Sequence, residues 1–250
     1  MENALLIGLS RQMSLRREMD VVSNNIANIN TTGFKGDTAI FEEYLMPGAS
    51  ADQFARPDRK LSYVLDRSTW HDMSQGPVQQ TGNPLDVAID GDAFMVVQTP
   101  RGERYTRNGA LQMNSSGQLV TSEGYAILGD SGPVEFQAND RDILIARDGS
   151  IGVPDGSRGK LRLVKFDANQ RLTKDGSSTF AAPNGVQPQP VLPEERHVLQ
   201  GSLERSNVRG VIEMTRMIEV TRNYTQVATM LQNQGEMRKS AVEKLAEVPA

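Results

Sequence analysis

Cysteine is absent from this chain of 250 residues. That absence excludes a disulfide framework, a thiolate metal site, an iron–sulfur cluster and a cysteine nucleophile. Histidine is nearly as scarce: only His71 and His197 occur, too few for a histidine-built metal centre. A basic surplus is missing as well. The 27 Lys and Arg stand against 31 Asp and Glu, a formal net charge of -4, whereas a surface that coats nucleic acid normally carries excess positive charge. No nucleic-acid partner is expected. No run of about 18 uninterrupted apolar residues occurs, so membrane insertion is not expected either. The opening MENALLIGLS has no basic n-region and is broken by Gly8, unlike a cleavable signal peptide. Phosphate-cradling glycine loops and a nucleophile elbow are also missing. No metal, no cofactor and no enzymatic activity are expected.

The enzymatic rival is a secreted β-domain hydrolase, which would need a histidine, an acid and a nucleophile converging in one pocket. Trp70-His71-Asp72 does not supply this, because neighbours in an extended segment point to opposite faces. Asp86, Asp90 and Asp92 lack the spacing and closing Glu of a calcium loop and are expected to serve as turn residues.

Proline is missing from residues 1–46 and 194–248, although the chain has 12. Of its 22 glycines, 16 fall between Gly76 and Gly201. Aromatics are absent from residues 1–33, and Tyr224 is the only one after Phe180. Pro and Gly break helices and mark turns. The ends therefore read as helices and the middle as strands joined by turns. The expected class is α+β, with long N- and C-terminal helices forming a coiled-coil-like domain and a central, mainly antiparallel β domain. Residues 1–35 with 202–250 form the terminal helical assembly domain, 36–75 a connecting segment or extended hairpin, and 76–201 the β domain. Charge does not keep the ends apart. Residues 1–35 carry four basic and three acidic groups, and residues 202–250 seven and six.

The N-terminal segment carries a heptad seam. Leu5, Gln12, Met19 and Ile26 form one series and Gly8, Leu15, Val22 and Ile29 the other, the a/d pattern of paired helices. The Asn/Thr-rich run from Asn28 to Gly33 suits a helix stop. In the C-terminal segment, Val211, Met214 and Ile218 open one stripe, continued by Thr221 and Ala228. Met217, Tyr224 and Leu231 form a second, reinforced by Val220 and Val227. A helix from Ser202 to about Ala246 would be roughly 65 Å long. Its apolar face is broader than one partner helix needs, and surplus apolar surface marks an interface. A heterologous contact of that kind, repeated without closing, builds a filament.

Turn residues divide the middle. Val87–Ile89 leads through Asp90-Gly91-Asp92 into Phe94–Val97, and a hairpin is expected there. Hairpins are expected likewise for 110–113 with 118–120, for 143–145 with 151–153, and for 161–164 through Asp167-Ala168-Asn169 to Leu172. The short, regular spacing suggests an antiparallel sheet or small barrel. Segment 182–196 is proline-rich and expected to be extended.

Three blocks carry a family resemblance. The run Asn24-Asn25-Ile26-Ala27-Asn28-Ile29-Asn30-Thr31-Thr32-Gly33-Phe34-Lys35 resembles the signature of bacterial flagellar rod and hook proteins. Gly82 to Phe94, then Tyr105 to Gly109, Gly117 to Val120 and Gly124-Tyr125 resemble the family's second block. Leu203 to Val208, Glu213 to Glu219 and Arg222-Asn223-Tyr224 are similar to its C-terminal block. The resemblance implies a non-enzymatic basal-body rod subunit that leaves the cytoplasm uncleaved through the flagellar type III export apparatus and assembles in the periplasm. It implies other rod subunits and neighbouring copies of the chain as partners, with terminal helices lining the inner tube and often disordered in free subunits. The short stretch between Phe34 and Gly82 is most like a proximal rod subunit; a distal rod subunit or hook subunit is the alternative. Asn24, Asn25, Asn28, Gly33 and Phe34 join the two seams as the expected assembly interface. Phe41 and Leu45, in Phe-Glu-Glu-Tyr-Leu, fit the family's element for docking at the export gate.

Overall fold

The structure is a computed structural model that describes residues 2–246 apart from 47–60, 168, 169, 177 and 184. Two compact units divide the chain. Unit 1 holds residues 1–27, 37–70 and 209–250, and unit 2 holds 28–36 and 71–208.

Unit 1 contains the two long helices, α1 (Glu2–Ala27) and α2 (Gly210–Ala246), of 26 and 37 residues. At 1.5 Å per residue they span about 39 and 55 Å. They pack against each other in antiparallel sense. Arg216 Nη2 lies 3.0 Å from Glu18 Oε1, Asn25 Nδ2 donates to Glu213 Oε2 at 3.2 Å, and Gly8 faces Leu231. A Cβ on Gly8 would come within 2.5 Å of the Leu231 Cδ2 atom, so the missing side chain lets the helices approach closely. Strands β1 (Asp37–Met46) and β2 (Leu61–His71) pair as a two-stranded sheet, and α1 packs on β1. Of the segment between them, 47–60 lies outside the described residues.

Helix α2 begins at Gly210, not near Ser202. Residues Ser202–Glu204 are a strand, hydrogen-bonded antiparallel to β3 (Val78–Gln80). Pairing with a distant segment overrides the local helical pattern there. Glu213 in the first turn of α2 suits the positive end of the helix dipole.

Unit 2 is built around β5 (Phe94–Thr99), whose apolar run is continuous because both faces are buried. Phe94 and Val96 face a cluster with Tyr105, Val164 and Phe180. Met95 and Val97 face the opposite cluster, with Leu119, Ile127, Ile151 and Leu161. The neighbours of β5 are β6 (Gly102–Thr106) and β9 (Ala126–Gly129), and the sheet continues past β9 to β8 (Leu119–Val120) and β7 (Gln112–Met113). Hairpins form as expected between β7 and β8 and between Leu144–Ile145 and Ser150–Val153.

Two expected hairpins do not form. Strand β4 (Val87–Asp90) pairs with His197–Gln200, not with β5. The Asp-Gly turn carries the chain from one sheet to another, and buried Arg107 takes its carbonyls: Nε donates to Ala93 O at 3.0 Å and Nη2 to Gly91 O. Likewise Leu163–Lys165 pairs with β5 and Gln189–Pro190, while Thr173–Lys174 pairs with Thr179–Ala181. The proposed turn residues Ala168 and Asn169 lie outside the described residues.

Candidate assembly interface

Each long helix carries more apolar surface than its partner covers. On α1, Leu15 and Val22 are buried, while Leu5, Met19 and Ile26 are half-buried. Across from them on α2 the covered positions run Glu213, Met217, Val220, Tyr224, Val227, Leu231. Those positions alternate by three and four residues, the spacing of one helix face. The other α2 stripe is open. Val211 is 80% exposed, Ile218 62% and Met214 55%. Ile212, Met230, Met237 and Val242 are exposed as well, as are Leu6, Leu9 and Met13 on α1. The two stripes of α2 thus have different fates: among the described residues the Met217/Tyr224/Leu231 series is covered, and the Val211/Met214/Ile218 series is not.

The asparagine pair of the N-terminal block sits at the end of α1. Asn25 is buried and makes a two-point contact with the backbone of Asp37. Its Nδ2 donates to Asp37 O, and its Oδ1 accepts from Asp37 N–H, both at 2.8 Å. The same Nδ2 reaches Glu213 Oε2. One side chain therefore ties α1, β1 and α2 together. Asn24 is exposed and reaches Asp37 Oδ2 at 3.3 Å. Phe41 is half-buried on β1. Leu45 lies on the same strand, and its side chain is outside the described residues.

The rest of that block lies in unit 2. Asn28 and Ile29 are half-buried, and Gly33 and Phe34 are buried. Gly33 adopts φ +67° and donates its N–H to Glu204 O at 2.8 Å. A Cβ there would stand 2.5 Å from the Arg107 carbonyl carbon, so glycine is required both for the backbone turn and for the close approach. Lys174 Nζ sits 3.9 Å from the Phe34 ring centroid, a cation–π contact.

Three residues that the sequence reading passed over form the centre of this region. Lys35 is 0% and Glu204 1% exposed at the side chain, and Arg107 is equally enclosed. Lys35 Nζ donates to Glu204 Oε1 at 2.7 Å and to Ser74 O at 2.6 Å. The same Oε1 accepts from Gly76 N–H at 2.9 Å. Arg107 Nη1 faces Glu204 Oε2 at 3.4 Å, an ion pair longer than a good hydrogen bond. Burial, and then the charge of Arg107, hold the Lys35 pKa below the ordinary lysine value. Burial lowers that of Arg107 too. Asn207 adds a second tie: its Oδ1 accepts from Gly36 N–H, and its Nδ2 donates to Asp72 O, each at 2.8 Å. Lys35, Arg107 and Glu204 come from the three separate resembling blocks, and the fold brings all three blocks to one point. The signal in the sequence was a charge embedded in each block, alone in the first and one of several in the other two.

His71 makes an edge contact with the Phe180 ring at 6.3 Å, and His197 pairs through its strand with Asp90. Asp86 accepts from the Thr81 hydroxyl at 2.6 Å and Asn83 Nδ2 at 3.0 Å, which is turn chemistry.

Comparison with known proteins follows the same division of the chain. Residues 5–35 match the flagella basal body rod protein family, 88–153 the flagellar hook protein FlgE/F/G D1 domain, and 199–243 the flagellar basal body rod FlgEFG protein C-terminal family. The flagellar basal-body rod protein FlgF of Caulobacter vibrioides is 40% identical over 250 residues, covering 99% of this chain and 100% of that protein. The FlgF of Mesorhizobium japonicum is 31% identical, covering 98% of each. A FlgG of Buchnera aphidicola is 32% identical, covering 82% of this chain and 85% of that protein. With its Asn-Asn staple, its Gly33 turn and its Glu204 strand falling inside matched segments, and with identity sustained from end to end, the chain belongs to the flagellar basal-body rod protein family.

Proposed function

We propose that this structural, non-enzymatic subunit of the flagellar basal-body rod occupies the proximal rod and assembles through its helical unit, meeting other rod subunits and neighbouring copies of itself. The open stripe of Val211, Met214 and Ile218 beside a covered one carries the reading. A helix gains most of its stability by burying its apolar face, and among the described residues nothing covers the Val211, Met214 and Ile218 stripe of α2. The three-four spacing of Met217, Val220, Tyr224, Val227 and Leu231 supports coiled-coil-like packing of α2 on α1. Asn25, bonded to both Asp37 and Glu213, fixes where that pairing stops. A shaft that carries torque needs many shallow contacts rather than one reactive centre.

The proximal assignment is supported by a relative that bears the FlgF name at 40% identity over 99% of this chain, against 28–33% identity for the FlgG relatives. Localising the tagged chain along purified basal bodies tests it. Signal at the proximal end is expected, and signal confined to the distal end assigns a distal subunit instead. Export through the flagellar type III apparatus without cleavage to the periplasmic rod completes the reading. Phe41 and Leu45, four residues apart on β1, are the pair proposed for the export gate. A Phe41→Ala chain that is still secreted at the normal rate removes that role.

A further inference from the structure

We propose that the helical unit docks sideways onto a second copy of this chain, with the α1 stripe Leu6, Leu9 and Met13 of one copy seated in the α2 groove beside Met230 and Met237 of the next. The proposal rests on the assembly reading above and names a partner for it, but it uses surfaces other than the Val211/Met214/Ile218 stripe. Leu6, Leu9 and Met13 are spaced by three and four residues and share one side of α1; all are exposed, Met13 by 66%. At 3.6 residues per turn their mean direction lies about 130° round α1 from Gly8, the residue that faces Leu231. On α2, Gln226, Met230, Asn233 and Met237 alternate by four and three, and Met230 is 52% and Met237 65% exposed. They line a shallow groove of about 610 Å³, which continues past Met237 along Ser240 and Ala241. Their mean direction lies about 130° round α2 from Leu231, in the opposite sense of rotation along the chain. Because the helices are antiparallel, these two offsets carry stripe and groove to opposite flanks of the pair.

Stripe and groove also stand at one level. Gly8 meets Leu231, so with equal rise in both helices residues 6–13 lie level with roughly 226–233. Moving a copy across its own width therefore brings its α1 stripe onto the α2 groove of its neighbour, in the same antiparallel sense as the pairing within the chain. The contact is heterologous, so a third copy adds as the second did, and the array grows into a filament unless its curvature closes it. Charge selects a like copy as the occupant. Residues 3–10 of α1 and 223–235 of α2 carry no charge, and these are the stretches that the Gly8–Leu231 contact sets side by side. Withdrawing neutral groups from water costs far less than withdrawing unpaired ions. A partner of another kind would need only one flank to be neutral; a sideways repeat of this chain needs both, at the same level, and both are.

The chain has no cysteine of its own, so introduced ones report alone. The full chain carrying both Leu9→Cys and Met230→Cys is oxidised mildly in isolated basal bodies and run on a non-reducing gel. A ladder of disulfide-linked multimers is expected, while Leu9→Cys alone and Met230→Cys alone stay monomeric. A disulfide closed within one chain overturns the placement on opposite flanks. Linked dimers from either single variant overturn the heterologous contact. Bonds to a different rod protein, or no bonds in basal bodies that contain the chain, overturn the second copy as occupant. A charge pair gives an independent reading: Leu9→Lys and Met230→Glu should each lower incorporation several-fold, and the two together in one chain should restore it. Failure of that rescue also overturns the contact. The Ile218→Asp chain separates this proposal from the reading it rests on. If Ile218→Asp blocks incorporation and the cysteine pair incorporates without linking, the assembly reading stands and this contact falls. If the wild-type chain is absent from basal bodies, both fall.

Discussion

Glu204 is the residue on which most of unit 2's buried charge depends. Its carboxylate faces both Lys35 and Arg107, and charges withdrawn from water are tolerable only when paired. Glu204→Gln leaves two enclosed cations without a counter-charge. It is expected to cost about 3–5 kcal/mol, as breaking buried pairs does, measured by urea denaturation. Lys35→Met removes one cation and keeps the Arg107–Glu204 pair, so a smaller loss of about 1–3 kcal/mol is expected, mainly from the lost charge-assisted hydrogen bond to Glu204 Oε1. The depressed Lys35 pKa sets the sign of a pH effect. Between that lowered pKa and the ordinary lysine value, the folded chain has released this proton while the unfolded chain still holds it. The unfolded chain therefore binds more protons, and stability rises with pH. The stability difference between wild type and Lys35→Met should move in favour of wild type as the solution is made alkaline. None of this was legible residue by residue. A lone Lys, Arg or Glu in a sequence reads as surface, and only the meeting of strands far apart in the chain puts these three in one place.

At the scale of the element, the helices were the readable part. Missing proline and heptad spacing foretold α1 and most of α2, because helical periodicity is local. The start of α2 was not readable, since Ser202–Glu204 is extended by pairing with Val78–Gln80, a partner that local pattern cannot name. The Asp90-Gly91 turn misled for the same reason: its geometry was right, but the strands on either side found other partners. The two stripes of α2 make a paired prediction. Val220 is 3% exposed, so Val220→Asp buries an unpaired charge and should melt the helix pair, seen as lost helical circular dichroism. Ile218→Asp changes a solvent-facing position and should leave that signal intact while abolishing incorporation into basal bodies. Equal damage to the helix signal from both would contradict the division of the face. At Gly235 a Cβ would meet nothing within 4 Å, so Gly235→Ala should stabilise α2 by about 1 kcal/mol, read as a higher melting temperature of the helical signal.

For the whole molecule, the boundary between units does not follow sequence order: residues 28–36 and 204–208 belong with the β strands. Hydrogen exchange on the free chain is expected to be slow at Gly33, whose N–H is bonded to Glu204 O, and across the core strands around β5. It is expected to be fast over residues 5–20 and 225–244. Slow exchange over both helices, equal to that of β5, would mean that the free chain already stabilises them fully. The antiparallel contact of Gly8 with Leu231 also bears on how the chain is made. Synthesis runs from the N-terminus, so α1 emerges while its partner, more than two hundred residues away, does not yet exist. Until α2 has been synthesised, Leu15 and Val22 can be covered only by something other than α2, such as a nascent-chain chaperone. Helix pairing thus distinguishes a finished polypeptide from an interrupted one: a product truncated before α2 leaves the seam of α1 open to quality control.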